Sequence, residues 1–271
     1  MAERYASLME VIRLRRSVRS FEPPTAPLPF EVLRGICEAG RWAPSGANTQ
    51  PWHFVIAAER TDVVAVSEVF VRQADRLVEH CRGFPHVHKK HWLHNSLAIV
   101  LLFCDPRWVD SYPVSDHDGW RDEYAANNDK ILLASVGAAA QNMHLAAAAY
   151  GLTTAWLSGG GEDTTARELR SLLCVPEPLA PIATVPIGWP HRRAQSRYRH
   201  PLDALIHWGR WDATRTPLDD AVQLYISESR RDAMYRESET ATEDEMQTES
   251  ETASESEAQS EIATAPDAAS R

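Results

Sequence analysis

Cysteine is scarce in this chain, and its few copies stand far apart. Among 271 residues there are four cysteines, namely Cys37, Cys81, Cys104 and Cys174. No two of them have the close spacing of a disulfide framework or a zinc ribbon, and scattered thiols fit a reducing compartment. We therefore exclude both kinds of stabilisation and expect a cytoplasmic protein.

The chain also lacks an uninterrupted apolar segment of membrane-spanning length. Its first residues include Glu3, Arg4 and Glu10, so they do not form the apolar core of a signal peptide. The longest apolar run, Ile131 to Tyr150, is interrupted by polar side chains such as Gln141. We interpret this run as a buried helix rather than a membrane span, and we predict no membrane association.

An excess of positive charge is absent as well. The whole chain has a net charge of −10, and residues 237–271 alone, with 11 acidic residues and one basic residue, also carry −10. Residues 1–236 therefore balance at 27 basic and 27 acidic residues. Nucleic-acid binding requires a basic face, so this neutral balance does not favour it.

The acidic segment differs from the rest of the chain in composition. It repeats Ser/Thr-Glu units and contains no aromatic residue. Such a segment has too little apolar area to offset the entropy lost on ordering. We predict a folded domain over residues 1–236 and a disordered tail over residues 237–271, which serves either solubility or partner docking.

Common nucleotide-binding and nucleophile motifs are missing. No Gly-x-Gly-x-x-Gly follows the first predicted strand, and the chain contains no Walker motif. We also find no convincing Ser-His-Asp or Cys-His arrangement. The sequence therefore predicts no side-chain nucleophile.

Apolar patterns alternate between helical and extended spacing. Strands are predicted over residues 52–58, 98–104, 153–157 and 182–187, with Pro186 putting the end of the last strand at an edge or a bend. The longest predicted helix covers residues 132–150, is rich in alanine and stops at Gly151. Its small side chains place it either deep in the core or at a subunit interface. The alternation predicts an α/β or α+β domain with helices covering a central sheet.

Two short motifs carry most of the functional information. Arg15–Arg19 contains three guanidinium groups and a hydroxyl, and Ala43–Trp52 contains small turn-forming residues and two amides. Guanidinium groups offer a planar fork of donors that suits phosphate and conjugated carbonyls. We interpret the motifs as two walls of a site for a planar, phosphorylated ligand. A solvated basic helix end is the alternative for the first motif.

Two later segments have compatible chemistry. Several cations, including Arg197 and Arg199, follow the glycine turn at Gly188 and form a second donor set suited to phosphate. Gly159–Gly161 would let backbone amides approach a flat ligand closely. A solvated loop and a flexible loop are the respective alternatives.

Taken in order, these segments resemble the nitroreductase family of flavin-dependent oxidoreductases. The segments that carry the resemblance are Arg15–Arg19, Pro44–Trp52, Gly137–Gly151 with Gln141-Asn142-Met143, and Val185–Pro190 followed by Arg197 and Arg199. The resemblance covers residues 8–208. It implies an α+β three-layer sandwich, with a mostly antiparallel central sheet flanked by helices. It also implies a homodimer with two FMN sites at the subunit interface and the alanine-rich helix in the dimer core.

The resemblance assigns cofactor-binding roles residue by residue. The side chains implied to hold the FMN phosphate, ribityl chain and pyrimidine carbonyl side are Arg15, Arg16, Ser17 and Arg19. Those implied to approach the flavin, some of them from the partner subunit, are Pro44, Ser45, Gly46 and Asn48. Leu157, Ser158 and Gly159 would lie along the isoalloxazine, with a backbone amide near N5. Arg197 and Arg199 would return to the phosphate.

The implied reaction is a two-step exchange at flavin N5. NAD(P)H gives hydride and leaves, and a nitroaromatic, quinone or similar conjugated small molecule then takes electrons, so no catalytic side chain is required. The acceptor is expected to meet Ala47, Trp120 and Tyr124, because the segment before the long helix often covers the flavin in this family. Ordinary surface aromatics are the alternative.

The closely spaced histidines from His86 to His94 suggest a possible metal site. Zinc requires neutral imidazoles that converge tetrahedrally, whereas Lys89 and Lys90 add positive charge here. We predict no metal. A basic surface for the phosphate of the nicotinamide cofactor and plain packing histidines both remain open.

Two further functions remain as alternatives. A reductive dehalogenase or another specialised flavin enzyme of the same family is one. Iodotyrosine dehalogenases share motifs like Arg15–Arg19 and Pro44–Ala47, although their Glu-x-x-x-Tyr and later Lys are not found between residues 59 and 100. The other is a non-catalytic flavin-binding sensor whose acidic tail docks partners.

Overall fold

The computed structural model describes residues 2–80, 89–110, 120–191, 199–225 and 227. The chain divides into two compact units, Met1–Ala194 and Gln195–Arg271, and each is described by itself. The first unit contains the predicted site residues except Arg197 and Arg199, which belong to the second. The predicted domain boundary at residue 236 stays a prediction.

The first unit contains six helices and four strands within its described residues. They are α1 (Ala2–Leu14), α2 (Phe30–Arg41), β1 (Trp52–Ala57), α3 (Arg60–His80), β2 (Ala98–Cys104), α4 (Arg107–Asp110), α5 (Trp120–Ala149), β3 (Thr153–Thr154), α6 (Asp163–Leu172) and β4 (Ala180–Gly188). Short 3₁₀ turns lie at Gly46–Asn48, His91–Asn95 and Gly159–Gly161. The second unit contributes the turns Leu202–Ala204 and Ala213–Arg215 and a short helix, α7 (Asp219–Leu224).

The strands form one antiparallel sheet in the order β1-β2-β4-β3. Every side chain of β2 is buried, as expected for a strand covered on both faces. Since successive side chains point to opposite faces, Val100 and Leu102 pack with α2 and α5, whereas Ile99 and Leu101 pack with α3 and α6. Helices therefore cover both faces, and the predicted α+β three-layer sandwich is confirmed.

The last strand differs from its prediction. β4 is an inner strand, and Pro186 lies within it, paired with Ile99, rather than at an edge or a bend. The carbonyl of Pro186 accepts the Ala155 N–H at 3.4 Å, so its nitrogen faces the short, irregular β3 side. The absent N–H is tolerated because no continuous ladder runs along that side of β4 at this point.

The third strand is shorter than predicted. β3 contains only Thr153 and Thr154, and the chain leaves the ladder at the next residues. It returns at Leu157, which forms an isolated antiparallel bridge with Thr184. The predicted strand over residues 153–157 is therefore interrupted by Ala155 and Trp156.

The alanine-rich helix α5 begins at Trp120 and not at the predicted Leu132. Its first turns are rich in charged and amide side chains, so they carry no apolar period that reveals a helix. The predicted stop is confirmed, since Gly151 has a φ of 77°. By length and composition Asn127–Ala149 could cross a membrane, but its inner side chains, such as Val136 and Met143, are fully buried in the core.

Candidate functional site

The Arg15–Arg19 motif is fixed along the edge of the sheet. Ser17 forms a parallel bridge with Thr154 of β3, and the Val18 N–H donates to the Thr154 carbonyl at 2.9 Å. Helix α1 ends directly before, with the Arg15 N–H donating to the Val11 carbonyl at 3.0 Å. The backbone of the motif is therefore held by the fold and not free in solvent.

The side chains of this motif differ in exposure. Arg15, Arg16 and Ser17 are half-buried, whereas Arg19 is exposed. The Arg16 guanidinium donates to the Arg15 carbonyl at 2.8 Å. A half-buried group of guanidinium and hydroxyl donors at a sheet edge suits an anion such as phosphate. The alternative of a fully solvated helix end is not what this segment forms.

The second motif is a strained loop. Ala47, Asn48 and Gln50 have positive φ angles of 50°, 55° and 47°. Residues other than glycine rarely adopt a positive φ angle. Such conformations persist only where the surrounding structure fixes them. Here the Gln50 N–H donates to Ser45 Oγ at 3.0 Å, and Thr49 Oγ1 donates to the Gly46 carbonyl at 2.9 Å. The strain marks the loop as a candidate ligand contact.

This loop is attached to the middle of α5. The Gly46 N–H donates to Ser135 Oγ at 3.2 Å. A Cβ at Gly46 would lie 2.2 Å from Ile131 Cγ2, which is far inside van der Waals contact. Glycine is therefore required at position 46 for the loop to approach the helix.

The two motifs meet α5 at distant points within one chain. The loop is held at Ser135, while the β3 residue that pairs with the basic motif, Thr154, contacts His144 through a hydrogen bond of 2.6 Å. At about 1.5 Å and 100° per residue, these two helix positions are about 14 Å apart in height and on opposite sides of the axis. One chain therefore anchors the two walls at opposite edges of α5.

Between those edges, α5 presents an outer face that includes the small residues Ala134 and Gly137. Ala134 and Gln141 are exposed, and Gly137 has no atom within 4 Å of an added Cβ among the described residues. Leu133, at the border of this face, is 53% exposed. The outer face of α5 is thus uncovered in the described chain.

The Leu157–Gly159 turn lies on the same sheet edge as the basic motif. Leu157 is buried and exchanges two backbone hydrogen bonds with Thr184, of 3.1 and 2.9 Å, whereas Ser158 is exposed. Because Thr154 lies only three positions before Leu157, the turn continues directly from the strand that pairs with Ser17. The fold therefore brings these two predicted cofactor segments to one edge.

Polar side chains support this glycine turn from behind. Glu162, which follows Gly159–Gly161, accepts a hydrogen bond of 2.8 Å from Gln73 Nε2 of α3. Lys90 Nζ donates to Gln73 Oε1. Burial lowers the pKa of Lys90 to about 8, although the negative charge of Glu162 acts in the opposite direction. These hydrogen bonds hold Glu162, at the end of the glycine turn, against Gln73 of α3.

For four predicted site residues, the described structure establishes no position relative to this edge. Arg197 lies outside the described residues, and Arg199 lies in the second unit, whose placement relative to the first is not described. Trp120 begins α5 and Tyr124, which is half-buried, follows one turn later. The roles of these four residues stay predictions.

His144 is a residue of this region that sequence reasoning missed. Its side chain is 3% exposed, and Nδ1 lies 2.6 Å from Thr154 Oγ1. Burial, and secondarily the positive charge of Arg15, lowers its pKa to about 4. The sequence offered one signal, since a histidine interrupts the apolar and alanine-rich part of the helix.

The histidine-rich segment divides between described and undescribed positions. His86 and His88 lie outside the described residues, while His91 and His94 lie in a 3₁₀ turn. His94 Nε2 contacts Glu68 Oε1 at 2.8 Å. Over residues 2–80, 89–110, 120–191 and 199–225, no three side chains of His, Cys, Asp or Glu form a group that could hold a metal ion.

The structure shows an α+β domain with a donor-lined sheet edge, and comparisons with known proteins identify its family. Residues 12–189 match the model of the nitroreductase family, and the chain belongs to this family. It is accordingly an enzyme of the NAD(P)H-dependent flavin oxidoreductase type, as predicted.

Individual relatives are distant. A provisionally named NADH dehydrogenase/NAD(P)H nitroreductase of Archaeoglobus fulgidus is 27% identical over 182 residues, covering 67% of this chain and 84% of the relative. Iodotyrosine deiodinase 1 of Rattus norvegicus is 26% identical over 205 residues, covering 72% and 66% of the two chains. A provisionally named nitroreductase of Desulfovibrio desulfuricans, crystallised with FMN, is 26% identical with a TM-score of 0.53, covering 76% of this chain and 98% of that one.

Proposed function

We propose that this protein is an FMN-dependent oxidoreductase that takes hydride from NAD(P)H and reduces a nitroaromatic, quinone or similar conjugated acceptor by a ping-pong mechanism. We further propose that it works as a homodimer in the cytoplasm. The observation that carries the proposal is the donor-rich Arg15–Arg19 segment, which β3 fixes beside the Leu157–Gly159 turn. The FMN-containing relative supports the choice of cofactor.

The residues present fit FMN chemically. Arg15, Arg16, Ser17 and Arg19 supply charged and hydroxyl donors for a phosphate, a ribityl chain and a pyrimidine carbonyl. When bound, FMN supplies a ring nitrogen that accepts hydride from NAD(P)H and later releases it to the acceptor. In this proposal, Arg197 and Arg199 add cations on the phosphate side.

The protein's own contribution is orientation and electrostatics. Leu157, Ser158 and Gly159 would lie along the ring system and offer it a backbone N–H. The bridge to Thr184 and the hydrogen bond from Gln73 to Glu162 hold this segment in place. A guanidinium from Arg16 or Arg19 beside the pyrimidine carbonyl would stabilise negative charge on the bound cofactor. No side-chain nucleophile is needed.

The second wall is proposed to come from a second copy of the chain. One chain anchors the Pro44–Asn48 loop and the basic motif at opposite edges of α5, and the face between them is small and uncovered. If two such faces pack around a two-fold axis, the loop of one copy approaches the basic motif of the other. In this arrangement Pro44, Ser45, Gly46 and Asn48 complete the site across the interface.

The acceptor is proposed to enter on the side of Ala47, Trp120 and Tyr124. Ala47 lies in the strained loop, and the two aromatic residues lie in the first turns of α5, the helix to which the loop is attached. Aromatic side chains there would stack on a conjugated acceptor.

A reductive dehalogenase is the second candidate within the family. It is favoured by the similarity to the rat iodotyrosine deiodinase over much of the chain. Release of halide from a halogenated phenol by the reduced protein, without reduction of nitroarenes or quinones, would select this candidate. A flavin-binding sensor is the third, and failure of NAD(P)H to bleach the yellow protein would select it.

The basic motif provides the direct test of the cofactor site. We expect Arg15→Ala to lose FMN, because a half-buried phosphate donor is removed. The matched control is Arg13→Ala, which removes an exposed guanidinium from the last turn of α1. FMN content measured by absorbance after purification checks this, and a fully yellow Arg15→Ala protein would refute the assignment of Arg15.

A further inference from the structure

Gln50 belongs to the strained loop, and the proposed function leaves it without a role. Its side chain is exposed, and its backbone φ of 47° lies in the left-handed region. Asn48 shares this unfavourable conformation, with a φ of 55°. Strained positions of this kind cluster at ligand sites, where the strain fixes the direction of a functional group. The two amide side chains are therefore the place to look for such a direction.

The side chain of Gln50 bonds back onto Asn48. Gln50 Nε2 lies 3.4 Å from the backbone carbonyl oxygen of Asn48 and 3.3 Å from Asn48 Oδ1, so one amide nitrogen is shared between two acceptors. A backbone carbonyl can only accept, which requires the nitrogen and not the oxygen of the Gln50 amide at this position. The Asn48 atom beside that nitrogen must then be an acceptor as well. This pattern fixes the Asn48 amide with Oδ1 towards Gln50 and Nδ2 away from it.

The backbone of Gln50 engages a second side chain of the loop in the same way. Its N–H donates to Ser45 Oγ at 3.0 Å. A hydroxyl that accepts a hydrogen bond keeps its own hydrogen for another acceptor. Within the part of the chain that the structure describes, neither Ser45 Oγ nor Asn48 Nδ2 donates a hydrogen bond. The two N–H groups of Gln50 thus engage acceptors of both side chains and leave their donors for a ligand.

The loop itself is held by contacts that do not involve the Gln50 side chain. The Gly46 N–H donates to Ser135 Oγ of α5 at 3.2 Å. The Gly46 carbonyl accepts from Thr49 Oγ1 at 2.9 Å and from the Thr49 N–H at 3.0 Å. The Asn48 N–H donates to the Ser45 carbonyl at 3.0 Å. Removal of the Gln50 amide therefore leaves the loop attached to α5 and changes the orientation of the Asn48 amide.

We propose that Gln50 is a positioning residue that sets the polarity of the second wall, so that Ser45 and Asn48 meet the cofactor as hydrogen-bond donors. The inference rests on the proposed function, because it takes FMN as the ligand and the Pro44–Asn48 loop as a wall of its site. It adds a residue that acts through Ser45 and Asn48 rather than on the cofactor. It also identifies what this wall recognises, namely acceptor atoms such as the carbonyl oxygens of the ring system.

The polarity of the wall affects the oxidised and the reduced cofactor unequally. Reduced FMN carries additional negative charge on its acceptor atoms, and hydrogen bonds to charged acceptors are stronger. Donors that are held in place therefore bind the reduced form more tightly than the oxidised form, which raises the midpoint potential. A loop that is merely loosened weakens both forms equally and leaves the potential unchanged. The potential thus separates a polarity effect from a purely structural one.

Two substitutions of Gln50 change its side chain in different ways. Gln50→Met keeps a side chain of similar length and the backbone N–H, removes the amide and adds no charge. Gln50→Glu keeps the shape of the amide, but its carboxylate only accepts near pH 7. It therefore attracts the nitrogen of the Asn48 amide and turns the oxygen of that amide towards the ligand.

The experiment measures affinity and potential for the same set of proteins. FMN is titrated into the apoprotein of the wild type and of each variant near pH 7, and binding is followed by flavin fluorescence. The midpoint potential of each reconstituted protein is then determined spectrophotometrically against a reference dye. Thermal unfolding of the apoproteins checks that the variants are folded.

We expect Gln50→Met to bind oxidised FMN roughly tenfold more weakly than the wild type, and Gln50→Glu to bind it more weakly still. If the reduced cofactor loses a further factor of about ten, the potential of Gln50→Met falls by about 30 mV, the tenfold step of a two-electron couple. Because methionine is uncharged, an added charge does not explain this fall. Ser171→Glu adds the charge of Gln50→Glu to the exposed side of α6 and should match the wild type in both measurements.

The negative outcomes are distinguishable. If FMN binds the wild type and Gln50→Met with the same affinity and potential, the role of Gln50 is refuted and the proposed function stands. Weaker binding by Gln50→Met with an unchanged potential also refutes it, since Gln50 then only stiffens the loop. If the wild type does not bind FMN, the proposed function is refuted, and the inference with it.

Discussion

His144 makes the folded state sensitive to acid at the scale of a single residue. A histidine whose pKa is lowered by burial binds its proton more readily in the unfolded chain, so unfolding is favoured where only the unfolded chain is protonated. The pKa of His144 falls from 6.5 to about 4 on folding. Its contribution to stability is therefore complete above pH 6.5 and is lost as the pH falls towards 4.

We predict that the apoprotein loses about 3 kcal/mol of unfolding free energy between pH 6.5 and pH 4 through this residue alone. Denaturant unfolding at several pH values measures it, since His144→Asn should have a flatter profile by that amount. If the unfolding free energy of His144→Asn changed with pH as much as that of the wild type, the lowered pKa of His144 would be contradicted.

The contact between Gly46 and Ser135 is a second feature at the scale of single residues, and the sequence does not reveal it. The Ser-Gly-Ala-Asn pattern indicates a turn with small residues, and a turn is what forms. The positive φ angles of Ala47, Asn48 and Gln50 could not be predicted, because they arise from the attachment of the loop to α5, a contact between residues far apart in sequence.

At the scale of elements, the strongest predictions concern strands with continuous apolar character. Residues 98–104 form β2 as predicted, because seven buried side chains leave no alternative to a doubly covered strand. The predicted strand over residues 153–157 fails where Trp156, 40% exposed, leaves the core. The start of α5 was missed because a helix stabilised by tertiary contacts needs no apolar period in every turn.

The segment from Ser17 to Phe21 acts as an arm that joins α1 to the sheet edge. Ser17 bridges to Thr154, and Phe21 bridges to Pro190 and is 3% exposed. Gly188 of β4 leaves room for the Phe21 ring, since an added Cβ would lie 2.6 Å from Phe21 Cγ. The arm is thus clamped between β3 and the end of β4.

We predict that Gly188→Ala displaces Phe21 and lowers the unfolding free energy by about 1–3 kcal/mol, the usual cost of overpacking. Because the arm carries Arg19 and follows Arg15, FMN binding should weaken as well. Thermal unfolding and an FMN titration measure both effects. Glu22→Ala, at an exposed neighbouring position, is the control. Unchanged FMN affinity in Gly188→Ala would show that the packing of Phe21 against Gly188 does not influence the cofactor site.

At the scale of the whole molecule, the described chain leaves apolar surface uncovered. Helix α1 has no buried side chain, and its Tyr5 and Leu8 are 65% and 51% exposed. Leu133 of α5 is 53% exposed beside the small-residue face. Large exposed apolar patches are characteristic of interaction surfaces. A second copy that covers the outer face of α5 would bury Leu133 and, in the same step, join the two walls of the proposed site.

Gly137 allows that arrangement to be tested without disturbing the core of one chain. An added Cβ at this position has no described atom within 4 Å, so Gly137→Leu should leave the folding of a single chain intact. Close packing of two α5 faces leaves no room for leucine. We therefore predict that Gly137→Leu is monomeric, binds FMN at least tenfold more weakly and unfolds at a lower temperature, because stabilisation by association is lost.

The matched control is Asp75→Leu, which adds a similar side chain to the exposed face of α3 in the opposite layer. Light scattering after size-exclusion chromatography gives the oligomeric state, and fluorescence titration gives the FMN affinity. A monomeric variant that binds FMN like the wild type would show that the site is complete in one chain. A dimeric variant with normal affinity would show instead that the dimer uses another face. Only a joint loss of dimer and cofactor, absent in Asp75→Leu, supports a site that two α5 helices create together.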